Sequence, residues 1–321
     1  MFRTKWRALW NPDMYHGWGK EKNYFEGWYF KLVDPTRKHV FAVIPGISKQ
    51  PDGTQHAFVQ VLDGVACKAS YHRFDARSFV PSEVDFGLTL GKNYFSADAM
   101  TLDLPNLSGS LTLHEHFGWP KMLGAPGVMG WYSFVPFMEC YHGVVSMHHG
   151  LRGELVHLGQ RISFDGGVGY LEKDWGRSFP RCWVWMQTSH FEHTDRASLM
   201  ASVAHVPWLG KYFVGYLCGF MLEGKLFRFT TYTGAKLTTR VENDAVYLTF
   251  RQGKLVLEIA ARQAAGAVLA SPISGDMTGK VNESMQAIIK VRLSENGVLI
   301  HEDTGSCGGL EVAGPVEILC Q

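Results

Sequence analysis

Residues 24–64 read YFEGWYFKLVDPTRKHVFAVIPGISKQPDGTQHAFVQVLDG, and this stretch decides the fold class. It holds three runs rich in aromatic and β-branched residues, which end at Asp34-Pro35, Pro45-Gly46 and Asp63-Gly64. Short apolar runs separated by such turn pairs are typical of antiparallel strands. The stretch therefore predicts an all-β antiparallel sandwich or barrel.

The same pattern continues along most of the chain. Strand-like runs resume after residue 143, and the pairs Glu223-Gly224, Asn243-Asp244, Gln252-Gly253 and Asn296-Gly297 predict hairpin turns. The 10 Trp, 12 Tyr and 20 Phe residues suit half-buried strand positions. Because 321 residues exceed what one hydrophobic core usually fills, we predict two packed β domains, residues 1–165 and 166–321.

Composition excludes several classes of function. A net charge of +1, with no basic run interleaved with aromatics, gives no reason to expect a nucleic-acid partner. No apolar window reaches the ~18 residues of a membrane span. Arg3, Lys5 and Arg7 precede no continuous apolar segment, so the start does not resemble a signal peptide. Six scattered cysteines are typical of reduced thiols, and we expect a cytoplasmic protein.

The segment Phe117–Met138 differs from the rest. It mixes Met, Leu, Phe, Trp and Tyr residues with Pro120, Pro126 and Pro136, a density of proline that argues against a central strand or a long helix. An apolar loop must pack on something or contact an apolar ligand or a membrane. We therefore expect this segment either to cover a pocket or to give the protein a peripheral membrane contact.

Two segments carry more specific information. In Phe25–Phe30, strand alternation places Glu26, Trp28 and Phe30 on one face, with Tyr29 on the other. A carboxyl group between aromatic side chains should have a raised pKa and hold a proton near neutral pH.

The second segment is Tyr170–Gly176, sequence YLEKDWG, which is followed by Phe179-Pro180 and a strand. In that strand Trp183, Trp185 and Gln187 share one face, which could bind an apolar substrate and orient one oxygen.

A purely structural interpretation also fits each of these residues. Glu26 or Glu172 could pair with Lys173, Arg177 or Arg181, and the tryptophans could belong to the core. Taken together, two polar-aromatic strips in distant parts of the chain favour function, because a core alone does not need them.

These segments resemble the tocopherol cyclase family, whose members carry an FEGWYF-like strand early and an EKNWG…FP…WxWxQ segment midway. The similarity continues at Leu257-Glu258, Ser271-Pro272 and Gly308–Val312. More distantly, the family is similar to carotenoid hydratases, and the resemblance implies two lipocalin-like antiparallel β-barrel or sandwich domains. The family's Asn is Asp174 here, which adds a carboxyl group that could share a proton or pair with Lys173 or Arg177.

The resemblance also implies a chemistry, which is the acid-catalysed, cofactor-independent cyclisation of a prenylated quinol or phenol to a chromanol in an apolar pocket. Glu172 or Asp174 would be the acid, with Glu26 as a second ionisable group and Lys173 tuning them. The residues expected to bind substrate are Trp28, Tyr29, Trp175, Trp183, Trp185 and Gln187.

Two other functions stay open from the sequence. One is a non-catalytic carrier of an isoprenoid lipid, of lipocalin type, and the other is an isoprenoid hydratase. We expect no metal ion, because the 14 histidines form no HExxH motif and no Cys/His set. We also expect no nucleotide cofactor, because no helical pattern follows Gly166–Gly169.

Overall fold

The computed structural model describes residues 2–320 and confirms the all-β prediction. One helix, α1 (Phe2–Trp10), precedes the strands. The first sheet contains β1 (Tyr24–Val33), β2 (Val40–Lys49), β3 (Gln55–Asp63), β4 (Lys68–Asp75), β5 (Phe79–Pro81), β6 (Gly87–Leu90), β7 (Asn93–Ser96), β8 (Ala99–Asp103), β9 (Leu107–Phe117), β10 (Cys140–His157), β11 (Gln160–Ser163) and β12 (Gly167–Gly176).

The first sheet curls around its own interior. Its strands pair in the order β4-β3-β2-β1-β12-β10-β9-β8-β7-β6-β5, with β11 beside β10. The two strands at opposite ends of this order, β4 and β5, are joined only by the 3-10 turn Ala76–Ser78. Because three residues span about 10 Å at most, the two ends of the sheet must approach each other.

The second sheet has the same design. It contains β13 (Trp183–Thr188), β14 (His190–Phe191), β15 (Ala197–Trp208), β16 (Lys211–Leu222), β17 (Lys225–Thr230), β18 (Lys236–Glu242), β19 (Ala245–Gln252), β20 (Leu255–Arg262), β21 (Gly266–Ile273), β22 (Asp276–Glu295) and β23 (Val298–Ala313). The order is β17-β16-β15-β13-β23-β22-β20-β19-β18, with β14 beside β23 and β21 beside β22. The end strands β17 and β18 are again consecutive in the chain, so this sheet also curls.

Each sheet has its own hydrophobic core. In the first, Tyr24, Trp28, Phe30 and Leu32 of β1 face the interior together with Trp175 of β12. In the second, the interior includes Val184, Met186, Phe220, Phe229 and Phe250. Alternate residues of β1 and β13 thus point inward, as strand geometry requires.

The chain divides into two compact units at a different place from the predicted boundary between residues 165 and 166. Unit 1 runs through Phe179 and includes Leu269–Lys280, and unit 2 holds Pro180–Val268 and the chain from Val281 onward. The difference arises because β12 pairs with β1 and β10, which belong to unit 1. Local sequence patterns do not report pairing between strands that are far apart in the chain.

Candidate functional site

The four predicted site residues of β12 lie on two different faces of that strand. Lys173 and Trp175 point into the interior of unit 1, where Lys173 meets Glu26. Glu172 and Asp174 point the other way and both contact His142 of β10. Strand alternation therefore separates the four side chains into an interior ion pair and an outer-face cluster.

The interior cation is surrounded by acceptors. Lys173 Nζ lies 2.5 Å from Glu26 Oε1, and both side chains are fully buried. The same Nζ donates to the carbonyl oxygens of Pro12, at 3.0 Å, and of Met14. It also lies 2.8 Å from His16 Nδ1. A buried charge is tolerated only when it is paired and hydrogen-bonded in this way.

Two indole rings complete the surroundings of this cation. Lys173 Nζ lies 4.8 Å from the ring centroid of Trp28 and 4.6 Å from that of Trp175, within the range of cation–π contacts. Trp175 also stacks on His16, with ring centroids 4.3 Å apart, and Trp28 stacks on Phe86 at 5.0 Å. Both tryptophans are therefore core residues of unit 1 that face Lys173, and they lie on the face opposite Glu172.

The Glu26 carboxylate is equally well satisfied. The backbone N–H of His16 donates to both of its oxygens, at 2.9 and 3.0 Å, the N–H of Gly17 donates at 3.1 Å, and the Tyr24 hydroxyl donates as well. Burial raises the pKa of Glu26, but the charge of Lys173 and the hydrogen bond from His16 outweigh burial and hold this pKa at about 2.

The prediction that Glu26 keeps a proton near neutral pH is therefore wrong. The structural alternative, in which Glu26 pairs with Lys173, is the arrangement observed. The pair also ties residues 12–17 to the interior of unit 1, since Pro12, Met14, His16 and Gly17 all contribute backbone groups to it. Lys173 is thus engaged with Glu26 and the N-terminal segment, on the face of β12 opposite Glu172.

On the outer face, an imidazole lies between two carboxyl groups. His142 pairs with Asp174 in the β10–β12 register, and its Nδ1 lies 2.9 Å from Asp174 Oδ1. Its Nε2 lies 3.4 Å from Glu172 Oε2. The exposed fraction of the side chains rises from 6% at Glu172 to 13% at His142 and 25% at Asp174. The three residues form a chain that leads from a buried acid towards solvent.

Neighbouring hydroxyl and thiol groups surround this outer-face cluster. The Tyr170 hydroxyl donates to Glu172 Oε2 at 2.5 Å. Burial, together with the nearby charge of Glu172, raises the pKa of Tyr170 far above its usual value, so the phenol stays a donor. Tyr29 lies directly opposite Glu172 in the β1–β12 register and is buried. Burial also raises the pKa of the Cys140 thiol, whose Sγ lies 3.9 Å from Asp174 Oδ1.

The extra carboxyl group of Asp174 therefore pairs with His142, which neither sequence-based alternative anticipated. Sequence reasoning missed His142 because only the register of β10 against β12 brings it to this position.

The three side chains of this cluster are also of the types that can bind a metal ion. One ligand atom from each of His142, Glu172 and Asp174 lies within 4.8 Å of the others. However, His142 Nε2 faces Glu172 and His142 Nδ1 faces Asp174. A single metal ion can bind only one nitrogen of an imidazole ring. The observed contacts are a hydrogen bond between His142 Nδ1 and Asp174 and a 3.4 Å ion-pair distance between His142 Nε2 and Glu172.

The three predicted residues of β13 lie in unit 2. Trp183, Trp185 and Gln187 share one face, but this face is opposite to the interior, into which Val184 and Met186 point. The Trp183 indole donates to Glu311 Oε2 at 2.6 Å, and the Gln187 amide donates to Ser189 Oγ at 2.9 Å. Trp185 and Gln187 are buried.

Comparison with known proteins identifies the family. The family model described as tocopherol cyclase-like matches residues 110–314, which include His142, Glu172 and Asp174. The chain belongs to this family. It is 30% identical over 123 residues to the probable chloroplastic tocopherol cyclase of Oryza sativa subsp. japonica, covering 37% of this chain and 26% of the relative. It is 26% identical over 212 residues to the chloroplastic tocopherol cyclase of Zea mays, covering 62% and 44%.

The matched regions thus span less than half the length of these two plant relatives.

Solved structures agree on the lipocalin-like fold. The crystal structure of CghA with Sch210972 has a TM-score of 0.59 at 12% identity and covers 91% of this chain and 88% of that one. A putative AttH from Nitrosomonas europaea has a TM-score of 0.53 at 15% identity and covers 90% and 92%. None of the helices within residues 2–320 is long and apolar enough to cross a bilayer.

The interior ion pair predicts strong coupling between its two members. Glu26→Gln or Lys173→Met leaves a buried charge unpaired, and each should lower the free energy of unfolding by about 3–5 kcal/mol. The double variant should lose about 2 kcal/mol less free energy of unfolding than the sum of the losses in the two single variants. Urea unfolding monitored by tryptophan fluorescence measures these values. Glu154→Gln, which breaks the exposed pair with Arg161, should cost less than about 1 kcal/mol.

The ion pair also predicts a dependence of stability on pH. The pKa of Glu26 in the folded state, about 2, lies below its ordinary value of 4.5, so its stabilisation is present above pH 4.5. That stabilisation is lost as the pH falls from 4.5 towards 2. Glu26→Gln should remove this part of the pH dependence, and an unchanged slope would show that Glu26 is not ionised in the folded state.

Proposed function

We propose that this tocopherol cyclase-like protein is a cofactor-independent cyclase that joins the phenolic oxygen of a prenylated quinol to the first double bond of its tail. The product is a chromanol. Membership of the family supports this proposal, and the observation that carries it is the buried Glu172 carboxyl linked through His142 to Asp174. No other acidic side chain of YLEKDWG is buried to the same extent.

In the proposed reaction, Glu172 donates a proton to the less substituted carbon of the double bond. The positive charge develops on the neighbouring tertiary carbon, the phenolic oxygen attacks that carbon, and the phenolic proton is released. One proton enters at carbon and one leaves from oxygen, so the reaction is an isomerisation. General acid catalysis of this kind typically contributes about 10²- to 10⁴-fold.

His142 and Asp174 restore the acid after each turnover. Glu172 is a carboxylate once it has given up its proton, and His142 Nε2 lies 3.4 Å away. The imidazole can accept a proton at Nδ1 from the side of Asp174, which is the most exposed of the three, and deliver one from Nε2. The Tyr170 hydroxyl, held on Glu172 Oε2, keeps the carboxyl group in one orientation.

The cation must be kept from water and stabilised until the ring closes. In the proposed reaction the aromatic rings of Tyr29 and Tyr170, which lie on the side of Glu172, stabilise it, each by about 0.5–2 kcal/mol. Binding of the substrate by Trp183, Trp185 and Gln187 stays a prediction for the outer face of β13. Trp28, Trp175, Glu26 and Lys173 instead hold unit 1 together.

Burial of the cluster favours a cyclase over a lipid carrier. Removing ionisable groups from water costs free energy, and a carrier gains nothing from it. A hydratase differs only in whether water reaches the cation. The products of the reaction therefore distinguish the three functions.

Glu172→Gln should lower kcat by at least about 100-fold while substrate binding and folding are kept, because the amide has no acidic proton. Product formation from a series of prenylated quinols, followed by mass spectrometry, measures turnover. Glu154→Gln, an exposed change in the same unit, is the matched control. Full activity of the Glu172 variant would remove it from the mechanism. Binding without product in the wild type would indicate a carrier, and a tertiary alcohol a hydratase.

His142→Ala should lower kcat by about 10- to 100-fold because re-protonation of Glu172 becomes slow. Added imidazole should restore part of the rate and change the pH–rate profile, neither of which a structural role would produce. Treatment of the wild type with a chelator is the second arm. Retained activity agrees with a proton chain, whereas a loss that added metal restores would show that the cluster binds an ion.

A further inference from the structure

Two segments of unit 1 expose large apolar side chains at one surface. In α1, Trp6 is 58% exposed, and in the segment between β9 and β10, Leu123 is 97% exposed. Trp131 and Phe137 of the same segment are also about half exposed, at 48% and 55%. Exposed aromatic and aliphatic side chains of this size usually mark an interaction surface.

Ring contacts join the two segments into one surface. The Trp6 and Trp10 rings lie 6.2 Å apart, and Trp10 packs edge-on against Phe134 with centroids 5.1 Å apart. Lys121 Nζ lies 2.7 Å from Asp13 Oδ2, which fixes the start of the β9–β10 segment to the chain that follows α1. We call the surface formed by residues 2–10 and 118–138 the aromatic surface.

The charge of the aromatic surface has one sign. Its sequences, FRTKWRALW and GWPKMLGAPGVMGWYSFVPFM, contain Arg3, Lys5, Arg7 and Lys121 and no acidic residue. The side chains of Arg3, Lys5 and Arg7 are exposed. In a protein whose net charge is +1, the three positive charges of α1 are a local concentration, whereas the charge of Lys121 is balanced by Asp13. Basic residues beside exposed Trp, Leu and Phe match the composition of helices that lie in the membrane interface.

We infer that the aromatic surface docks on an anionic phospholipid bilayer. Trp6, Leu123, Trp131 and Phe137 enter the boundary between head groups and acyl chains, where tryptophan is favoured. Arg3, Lys5 and Arg7 contact the anionic head groups, which attract basic side chains within a Debye length.

Docking at this surface has a consequence for the outer-face cluster. The β9–β10 segment is attached to β10 beside His142, because the His142 backbone N–H donates to Met129 Sδ at 3.1 Å. The Tyr141 hydroxyl also donates to the Val135 carbonyl oxygen. A bilayer bound at the aromatic surface therefore lies next to the strand that carries His142. This inference concerns binding alone and does not depend on turnover.

Flotation of the full chain with phospholipid vesicles tests the inference. The protein should float with vesicles of phosphatidylcholine and phosphatidylglycerol, bind those of phosphatidylcholine alone at least about tenfold more weakly, and dissociate as salt is raised. Tryptophan emission should shift to shorter wavelength on binding. Failure to bind the anionic vesicles, or equal binding to both kinds at all salt concentrations, would overturn the inference.

Two exposed leucines in turns of unit 1 provide a matched pair. Leu123→Ser should weaken binding by about tenfold, because one leucine side chain no longer leaves water. Leu158→Ser, in the turn between β10 and β11 and 77% exposed, should have no effect. Equal effects of the two changes would overturn the inference.

A charge variant and a self-association measurement complete the test. Arg3→Ser with Lys5→Ser should reduce binding to anionic vesicles and leave the weak binding to neutral vesicles unchanged. If the surface instead joins two copies of the chain, light scattering would show a dimer that Leu123→Ser dissociates, without vesicle binding. Such a dimer would overturn the inference.

Discussion

The buried ion pair between Lys173 and Glu26 determines which side of β12 faces the interior of unit 1. A slip of one residue would carry Glu172 into the core and leave Lys173 outside, away from its partner. The acceptors around Lys173, which include two backbone carbonyl groups of the N-terminal segment, are present only in the observed register. The pair therefore fixes the positions of Glu172 and Asp174 as firmly as its own.

This register places the ion pair that stabilises unit 1 and the cluster proposed to react with substrate on opposite faces of β12. On the interior side, the charges are satisfied, the pKa of Glu26 is low, and stacked rings fill the space around them. On the outer side, a buried carboxyl is connected to a more exposed one through an imidazole. In the proposed reaction it is the second arrangement that supplies the proton and recovers it. The aromatic residues of FEGWYF and YLEKDWG, which suggest a binding pocket in the sequence, largely support the ion pair.

Much of the fold could be predicted from local patterns. The run Tyr24–Val33 is a strand with the predicted bounds, and alternation in FEGWYF placed Glu26 and Trp28 on one face correctly. Partners across strands could not be predicted, because β1 pairs with β12 through residues more than 100 positions apart, and the register of β10 against β12 is shifted by β-bulges that local patterns do not show. For that reason the sequence could not show that Glu26 would meet Lys173 and His16, or that His142 would lie between Glu172 and Asp174. The boundary between the units shifted for the same reason.

The central claim is that a carboxyl group in exchange with solvent protonates the substrate, and turnover in D₂O tests it most directly. In the proposed mechanism Glu172 exchanges its proton through His142 and Asp174, so each chromanol formed should carry one deuterium on the carbon beside the newly closed tertiary centre. Mass spectrometry and NMR of the product locate that deuterium. A cyclised product without deuterium at this carbon would contradict the account, because its hydrogen would not have come from an exchangeable acid.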